Sequence, residues 1–203
     1  MSTTRLEAFS DGVVAILITI MVLELRPPHD ASFASLRAVL PTFLSYVLSF
    51  VFLAIYWNNH HHMLHLTSRV TGGILWANLH LLFWLSLVPF VTAWIGENHR
   101  AAAPTALYGV VLVFAAFAYT ILQRTIIASQ GPHSRLAAAI GPDRKGKLSV
   151  ALYLAAIPLA FVHPAISDVL YATVALIWLV PDRRIEQRLA EHGEHALPER
   201  THA

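Results

Sequence analysis

Long apolar runs separated by short polar segments dominate the chain, and the lengths of those runs decide its reading. A helix needs about 20 apolar residues to cross the hydrocarbon core of a bilayer, within a range of about 17–25. Gly12 to Leu23 carries no charge between Asp11 and Glu24 and, with its polar ends, predicts a first helix over about 9–25. Uncharged stretches from Ala38 to Ser68, Val70 to Gly96 and Ala101 to Gln123 predict helices over about 40–63, 72–96 and 103–124. A last apolar stretch, from Leu148 to Val180, is interrupted only by His163-Pro164 and Asp168. At about 1.5 Å per residue it is too long for one crossing. Two short helices over about 148–163 and 165–181, joined by a tight turn at His163-Pro164, fit it better. The pattern therefore predicts an all-α integral membrane protein with six transmembrane helices in one domain, residues 1–181, followed by a charged tail, residues 182–203. The Gly131-Pro132 and Gly141-Pro142 pairs mark an exposed connection between the fourth and fifth helices.

Composition excludes the soluble alternatives. Of 203 residues, 56% are hydrophobic and 13% charged, against about 45–50% and about 25% in soluble domains. Too few charges remain to cover a soluble globule, which argues against an ordinary cytosolic enzyme, a coiled coil or a disordered chain. The absence of cysteine removes disulfides, thiol nucleophiles and cysteine-based metal sites. A net charge of +2 is no argument for nucleic acid.

The placement of the basic residues orients the helices. With the N-terminus inside, Arg26, Arg37 and Arg100 fall in outer loops, and the other 11 of the 14 Lys and Arg fall inside. Positive charge is retained on the cytoplasmic side during insertion, so both termini are expected there, in a multi-pass protein of the cell inner membrane. Basic clusters both before Leu148 and after Pro181 require an even number of crossings between them. A cleavable signal peptide is not expected, because Glu7 and Asp11 accompany Arg5 and no A-x-A site follows.

The first helix is unlike the others because acids stand at both of its ends. At about 100° per residue, Phe9, Gly12, Thr19, Ile20 and Leu23 all fall within about 60° of Ile16, whereas Ser10 and Asp11 point away. Such a stripe serves either packing or the lining of a pathway. An Asp near the bilayer needs a partner, expected behind the helix in the same subunit. Ser10 or Asp11 capping the first helical turn is an equally good account of these residues.

The opening Arg5-Leu6-Glu7-Ala8-Phe9-Ser10-Asp11-Gly12 resembles the R-x-x-x-F-S-D signature on the first helix of the transmembrane protein 175 family, the lysosomal and bacterial potassium channels. Tyr56-Trp57-Asn58-Asn59-His60-His61 resembles the W-x-x-H segment that ends the family's second helix, and Asn78 and Pro89-Phe90-Val91-Thr92 resemble its third-helix landmarks. The resemblance implies a homotetramer of six-helix subunits whose first helices line a central pore. It implies a modestly potassium-selective cation channel, permeable to K+ and other monovalent cations, with a hydrophobic constriction in place of a carbonyl filter. The constriction is implied at Ile16, with Ile20 and Leu23 as further apolar layers and Thr19 as a polar layer that aids selectivity. Arg5, Phe9, Ser10 and Asp11 are implied as a structural lock, with Trp57 and His60 as partners. No cofactor, metal, enzymatic activity or nucleic-acid partner is expected.

Two other functions fit parts of the chain. His60, His61, His62 and His65 suggest a histidine-ligated membrane metal enzyme, since His61 and His65 share a helical face. The remaining histidines are scattered, whereas such enzymes need several clusters, so titrating interfacial histidines are preferred. A secondary cation transporter would need a carboxylate at mid-depth and broken helices. Glu24, with Arg26 nearby, sits at the outer end and is the nearest candidate.

Overall fold

A computed structural model describes residues 2–98, 101–131, 134–140 and 143–179. The tail expected over 182–203 lies outside the described residues, as do Arg100 and the turn positions Pro132 and Pro142. The described chain is all helical: α1 (Thr3–Leu23), α2 (Leu36–His65), α3 (Gly72–Ser86), α4 (Val88–Glu97), α5 (Ala102–Gln130), α6 (Arg135–Ile140), α7 (Arg144–Leu159) and α8 (Pro164–Leu179). Among the described residues, four stretches are long and apolar enough to cross a membrane: 3–23, 33–65, 72–97 and 102–130.

The first helix begins six residues before its expected start. Ser2 is its N-cap, its hydroxyl accepting the Arg5 amide N–H, and the Thr3 hydroxyl donates to the Thr67 carbonyl beyond the end of α2. Polar residues thus extend the helix because its first turn is capped and tied to its neighbour. Ser10 and Asp11 are consequently interior to α1, and the capping account of them fails.

The third expected span is two helices with a break at Leu87. Pro89 has no amide proton to offer the Leu85 carbonyl, and its ring crowds that carbonyl. The chain tightens there, with the Leu87 N–H donating to the Trp84 carbonyl. The last two helices lie at 144–159 and 164–179, so their turn spans residues 160–163 and Pro164 opens α8 rather than sitting in the turn. Each has 16 residues, about 24 Å of helix, short of the hydrocarbon thickness of about 30 Å. The pair is pinned by Ser167 Oγ donating to the Ala156 carbonyl at 2.6 Å and by Trp178 Nε1 donating to Ser149 Oγ at 2.8 Å.

Helix α5 is the hub and packs against α3, α4, α7 and α8. Its Tyr108 meets Tyr171 of α8 and Phe52 of α2, and Tyr108 OH hydrogen-bonds Ser49 Oγ at 2.9 Å. Gly109 lets Tyr171 lie close enough for its hydroxyl to donate to the Thr105 carbonyl, because a Cβ at 109 would collide with that hydroxyl. Burial is uneven: 56% of the apolar stretch of α5 is buried, but only 28% of that of α1 and 17% of that of α2. The bundle therefore leaves the two N-terminal helices with wide uncovered faces, and the remainder of the fold acts as their scaffold.

Candidate functional site

Helix α1 packs on its neighbours through one narrow stripe, Leu6, Ser10, Val14, Leu17 and Met21, spaced four, four, three and four residues apart. That spacing is one helical face. The opposite face is open. Phe9, Ile16, Ile20 and Leu23 are 50%, 57%, 43% and 76% exposed, and a Cβ at Gly12 would meet nothing within 4 Å. Thr19 is also exposed, and its hydroxyl donates to the Ile16 carbonyl at 2.9 Å. With the proton committed to the backbone, the Thr19 oxygen turns only lone pairs to its surroundings. Val13 is partly buried and packs against the core, so it does not belong to this face.

Behind the open face, α1 and α2 run antiparallel, and polar contacts tie α1 to α2 and to Thr67 beyond the end of α2. Thr3 meets the Thr67 carbonyl, Glu7 Oε1 lies 2.7 Å from His61 Nδ1, and Trp57 Nε1 donates to Asp11 Oδ1 at 2.9 Å. Glu7 and Asp11 are four residues apart, as are Trp57 and His61, so the two helices present matched pairs one turn apart. The His61 ring stacks between Trp57 and His65, with centroids 6.2 Å from each.

A second, fully buried chain of hydrogen bonds joins α1, α2 and α3. Ser10 Oγ donates to the Leu6 carbonyl at 2.9 Å, Asn78 Nδ2 donates to Ser10 Oγ at 3.0 Å, and His60 Nε2 lies 2.6 Å from Asn78 Oδ1. Because the Asn78 amide nitrogen is already turned to Ser10, its oxygen must accept, so the proton of His60 sits on Nε2. Ser10, Asn78 and His60 are 1%, 0% and 5% exposed. All three residues of this relay find partners, as polar groups out of water must.

These contacts divide the signature residues. Ser10, Asp11, Trp57 and His60 converge where α1 meets α2 and α3. Asp11 has Trp57 as its partner, whereas His60 belongs to the Ser10–Asn78 relay. Phe9 lies on the open face, and Arg5 is exposed with no side-chain hydrogen bond or ion pair among the described residues. Asn78 enters the relay as its centre. Its signal in the sequence was a strongly polar residue deep in an apolar helix. The Glu7–His61 pair was legible only as the matching four-residue spacing on two helices. Among the described residues, no group of three or more His, Cys, Asp or Glu is placed to hold a metal.

Comparison with known proteins places this geometry. The family described as endosomal/lysosomal potassium channel TMEM175 matches residues 5–89, which hold the whole of α1, α2 and α3 apart from the first two residues of α1. A potassium channel of Chryseobacterium sp. (strain P1-3) is 53% identical over 192 residues, covering 95% of this chain and 100% of the relative. A potassium channel of Chamaesiphon minutus is 30% identical over 175 residues, covering 79% of this chain and 85% of the relative. Among solved structures, the crystal structure of a lysosomal potassium-selective channel TMEM175 homolog from Chamaesiphon minutus superimposes with a TM-score of 0.77 at 28% identity, covering 88% of this chain and 96% of that one. The signature on α1, the segment that ends α2, the arrangement of the helices and a relative matched along its whole length agree, and the chain belongs to the TMEM175 potassium channel family.

Proposed function

We propose that the protein is a modestly selective K+ channel, passively conducting K+ and other monovalent cations across the cell inner membrane as a homotetramer. In this reading four copies of α1 turn their open faces to a shared axis. The observation that carries it is the exposure of Ile16, Ile20 and Leu23 on a helix whose other face is committed to the scaffold. Membership of the family supports the same reading.

The physics of such a pathway follows from its lining. Rings of sec-butyl and isobutyl groups bind no water, so a narrow passage between them dries and gates by dewetting. A cation that passes must shed part of its hydration shell. Potassium holds its shell less tightly than sodium does, so the apolar ring at Ile16 favours it. One turn away, the outward lone pairs of four Thr19 hydroxyls replace some of the lost water. Glu24 caps the C-terminus of α1 and lines a shallow cavity with Phe90, Ala93, Trp94 and Glu97, where its charge enriches cations near the mouth.

The proposed topology has six crossings, α3 with α4 forming the third and the short α7 and α8 the last two, and both termini are cytoplasmic. Single cysteines test it, because the chain has none. Arg135 and Asn98 are exposed, and an impermeant thiol reagent added outside intact cells is expected to label Asn98→Cys and spare Arg135→Cys. Labelling of Arg135→Cys would overturn the topology. The function itself is tested by flux in proteoliposomes with K+, Na+ and Cs+ gradients. A passive current that reverses at the ionic equilibrium potential and favours K+ over Na+ is expected. Flux that stays coupled to a second ion would mean a transporter instead.

A further inference from the structure

His80 is a polar side chain on the outer surface of a membrane-crossing helix, and no pore role accounts for it. It is exposed on α3, between Trp76 and Phe83, which are 76% and 55% exposed on the same face. Its Nε2 accepts the indole N–H of Trp84 at 3.0 Å. An indole nitrogen only donates, so the neutral imidazole must carry its proton on Nδ1. That Nδ1–H has no acceptor among the described residues. A bare donor facing hydrocarbon is costly, and a polar group at such depth marks an interaction whose partner has to be found.

The register of α3 against α5 shows what lies around it. A Cβ at Gly73 would touch Thr125 Cγ2 at 3.4 Å. Eleven residues further along α3, the Trp84 ring lies flat on Phe114 of α5, with centroids 4.4 Å apart and 11° between planes. The helices are therefore antiparallel, and Arg124 stands level with the start of α3. Phe117, Ile121 and Arg124 follow Phe114 at spacings of three, four and three residues, which is one face. Phe117 and Ile121 are 44% and 46% exposed, and Arg124 is exposed with no ion pair among the described residues. Along one seam, then, a guanidinium stands at the membrane surface and Trp76 in the position of an interfacial aromatic belt. A hydrogen-bond donor follows one turn deeper, and aromatic and aliphatic surface deeper still.

We propose that the α3/α5 seam binds one glycerophospholipid. Its phosphate pairs with Arg124, an ester carbonyl accepts the His80 Nδ1–H, and an acyl chain lies on Phe117 and Phe114. From the level of Arg124 to that of His80 is about six residues, or about 9 Å along the helix, which suits the spacing of a phosphate and the ester groups below it. Charge, donor and apolar surface thus occur in the order in which a lipid presents their complements. The lipid belongs to the leaflet on the side of the α1 N-terminus, since Thr3, Thr67 and Gly73 lie at that end.

The test uses the purified, assembled protein and two probes, 1-palmitoyl-2-oleoyl-phosphatidylglycerol and its di-ether analogue, which has the phosphate but no carbonyl. Binding is read as retained lipid in native mass spectrometry. One hydrogen bond corresponds to about 2- to 10-fold in affinity, so the wild type is expected to hold the ester lipid tighter than the ether lipid by that factor. His80→Leu should abolish the preference, and Arg124→Gln should weaken both lipids while leaving the preference intact. Equal retention of the two lipids by the wild type overturns the proposal, whether or not His80→Leu folds. A preference that persists in His80→Leu overturns it too. So does a disulfide between two copies carrying Phe117→Cys, because a second copy would then cover the seam.

Discussion

Ile16→Asn is expected to raise the K+ current of the reconstituted protein and to lower its preference for K+ over Na+. In the proposed assembly, four sec-butyl groups at the narrowest ring give way to four amides that hydrogen-bond water. The ring wets more easily, and an ion crossing it retains more of its shell. Lowering a barrier by about 1.4 kcal/mol multiplies passage about tenfold, and a gain of at least that order is expected. Because the preference arises from partial dehydration, it weakens as the ring wets. Thr19→Val keeps the shape of the side chain and removes its oxygen. If the hydroxyl layer selects, that change lowers the K+ preference while Ile16→Asn spares it. Val22→Ala is the control, being 45% exposed yet about 120° around the helix from Ile16, and it should leave current and preference near wild type. Single-channel recording in asymmetric KCl and NaCl reads both quantities. An unchanged conductance and an unchanged reversal potential in a folded Ile16→Asn tetramer would show that α1 does not line the pathway.

Asn78→Leu is expected to damage stability and assembly while leaving ion preference alone. The substitution keeps the number of side-chain heavy atoms and removes both polar ends of a residue that is 0% exposed. Ser10 still has the Leu6 carbonyl to donate to, but the His60 Nε2–H loses its acceptor in a buried site. An orphaned buried group costs about 1–3 kcal/mol, with membrane proteins toward the lower end. For a chain of this size that corresponds to a melting temperature lower by about 2–12 °C. Asp11→Leu should act in the same direction but more weakly, by removing the acceptor of the Trp57 indole on a residue that is 44% exposed, and Asp11→Asn, which retains an oxygen there, should cost least. Both positions lie away from Ile16, Asp11 on the α2-facing side of α1 and Asn78 behind it, so the K+ preference of any variant that still assembles should match wild type. Thermal unfolding in detergent with size-exclusion chromatography reads stability and assembly, and bilayer recording reads preference. A normally stable Asn78→Leu would mean that the buried relay holds nothing together, and an altered preference in Asp11→Asn would contradict its placement on the α2-facing side of α1.

The division within α1 shows how far local patterning reaches. Heptad-like spacing separates Ile16, Ile20 and Leu23 from Ser10 and Asp11 before any fold is known, because a helix fixes the angle between residues wherever it is placed. The same spacing leaves open which side is covered. Leu17 and Met21 are as apolar as Ile16 and Ile20, and only the neighbours α2, α3 and α4 decide that the first pair is buried and the second bare.

Run length and charge placement in the sequence alone determined that the chain is helical and membrane-bound, since the thickness of the bilayer and the cost of charge within it act on each segment separately. The signature on the first helix determined its family. Proline chemistry was local as well, but its consequence at Leu87 depends on a helix continuing on both sides of the break, which apolar counting cannot tell from a straight span. The resemblance named Trp57 and His60 for the lock, but which of them meets Asp11 was decided by tertiary structure. Asp11 meets Trp57 across 46 positions and Ser10 meets Asn78 across 68. Hydrogen bonds are short-ranged and directional, so these pairings exist only once packing has set the register and rotation of one helix against the next.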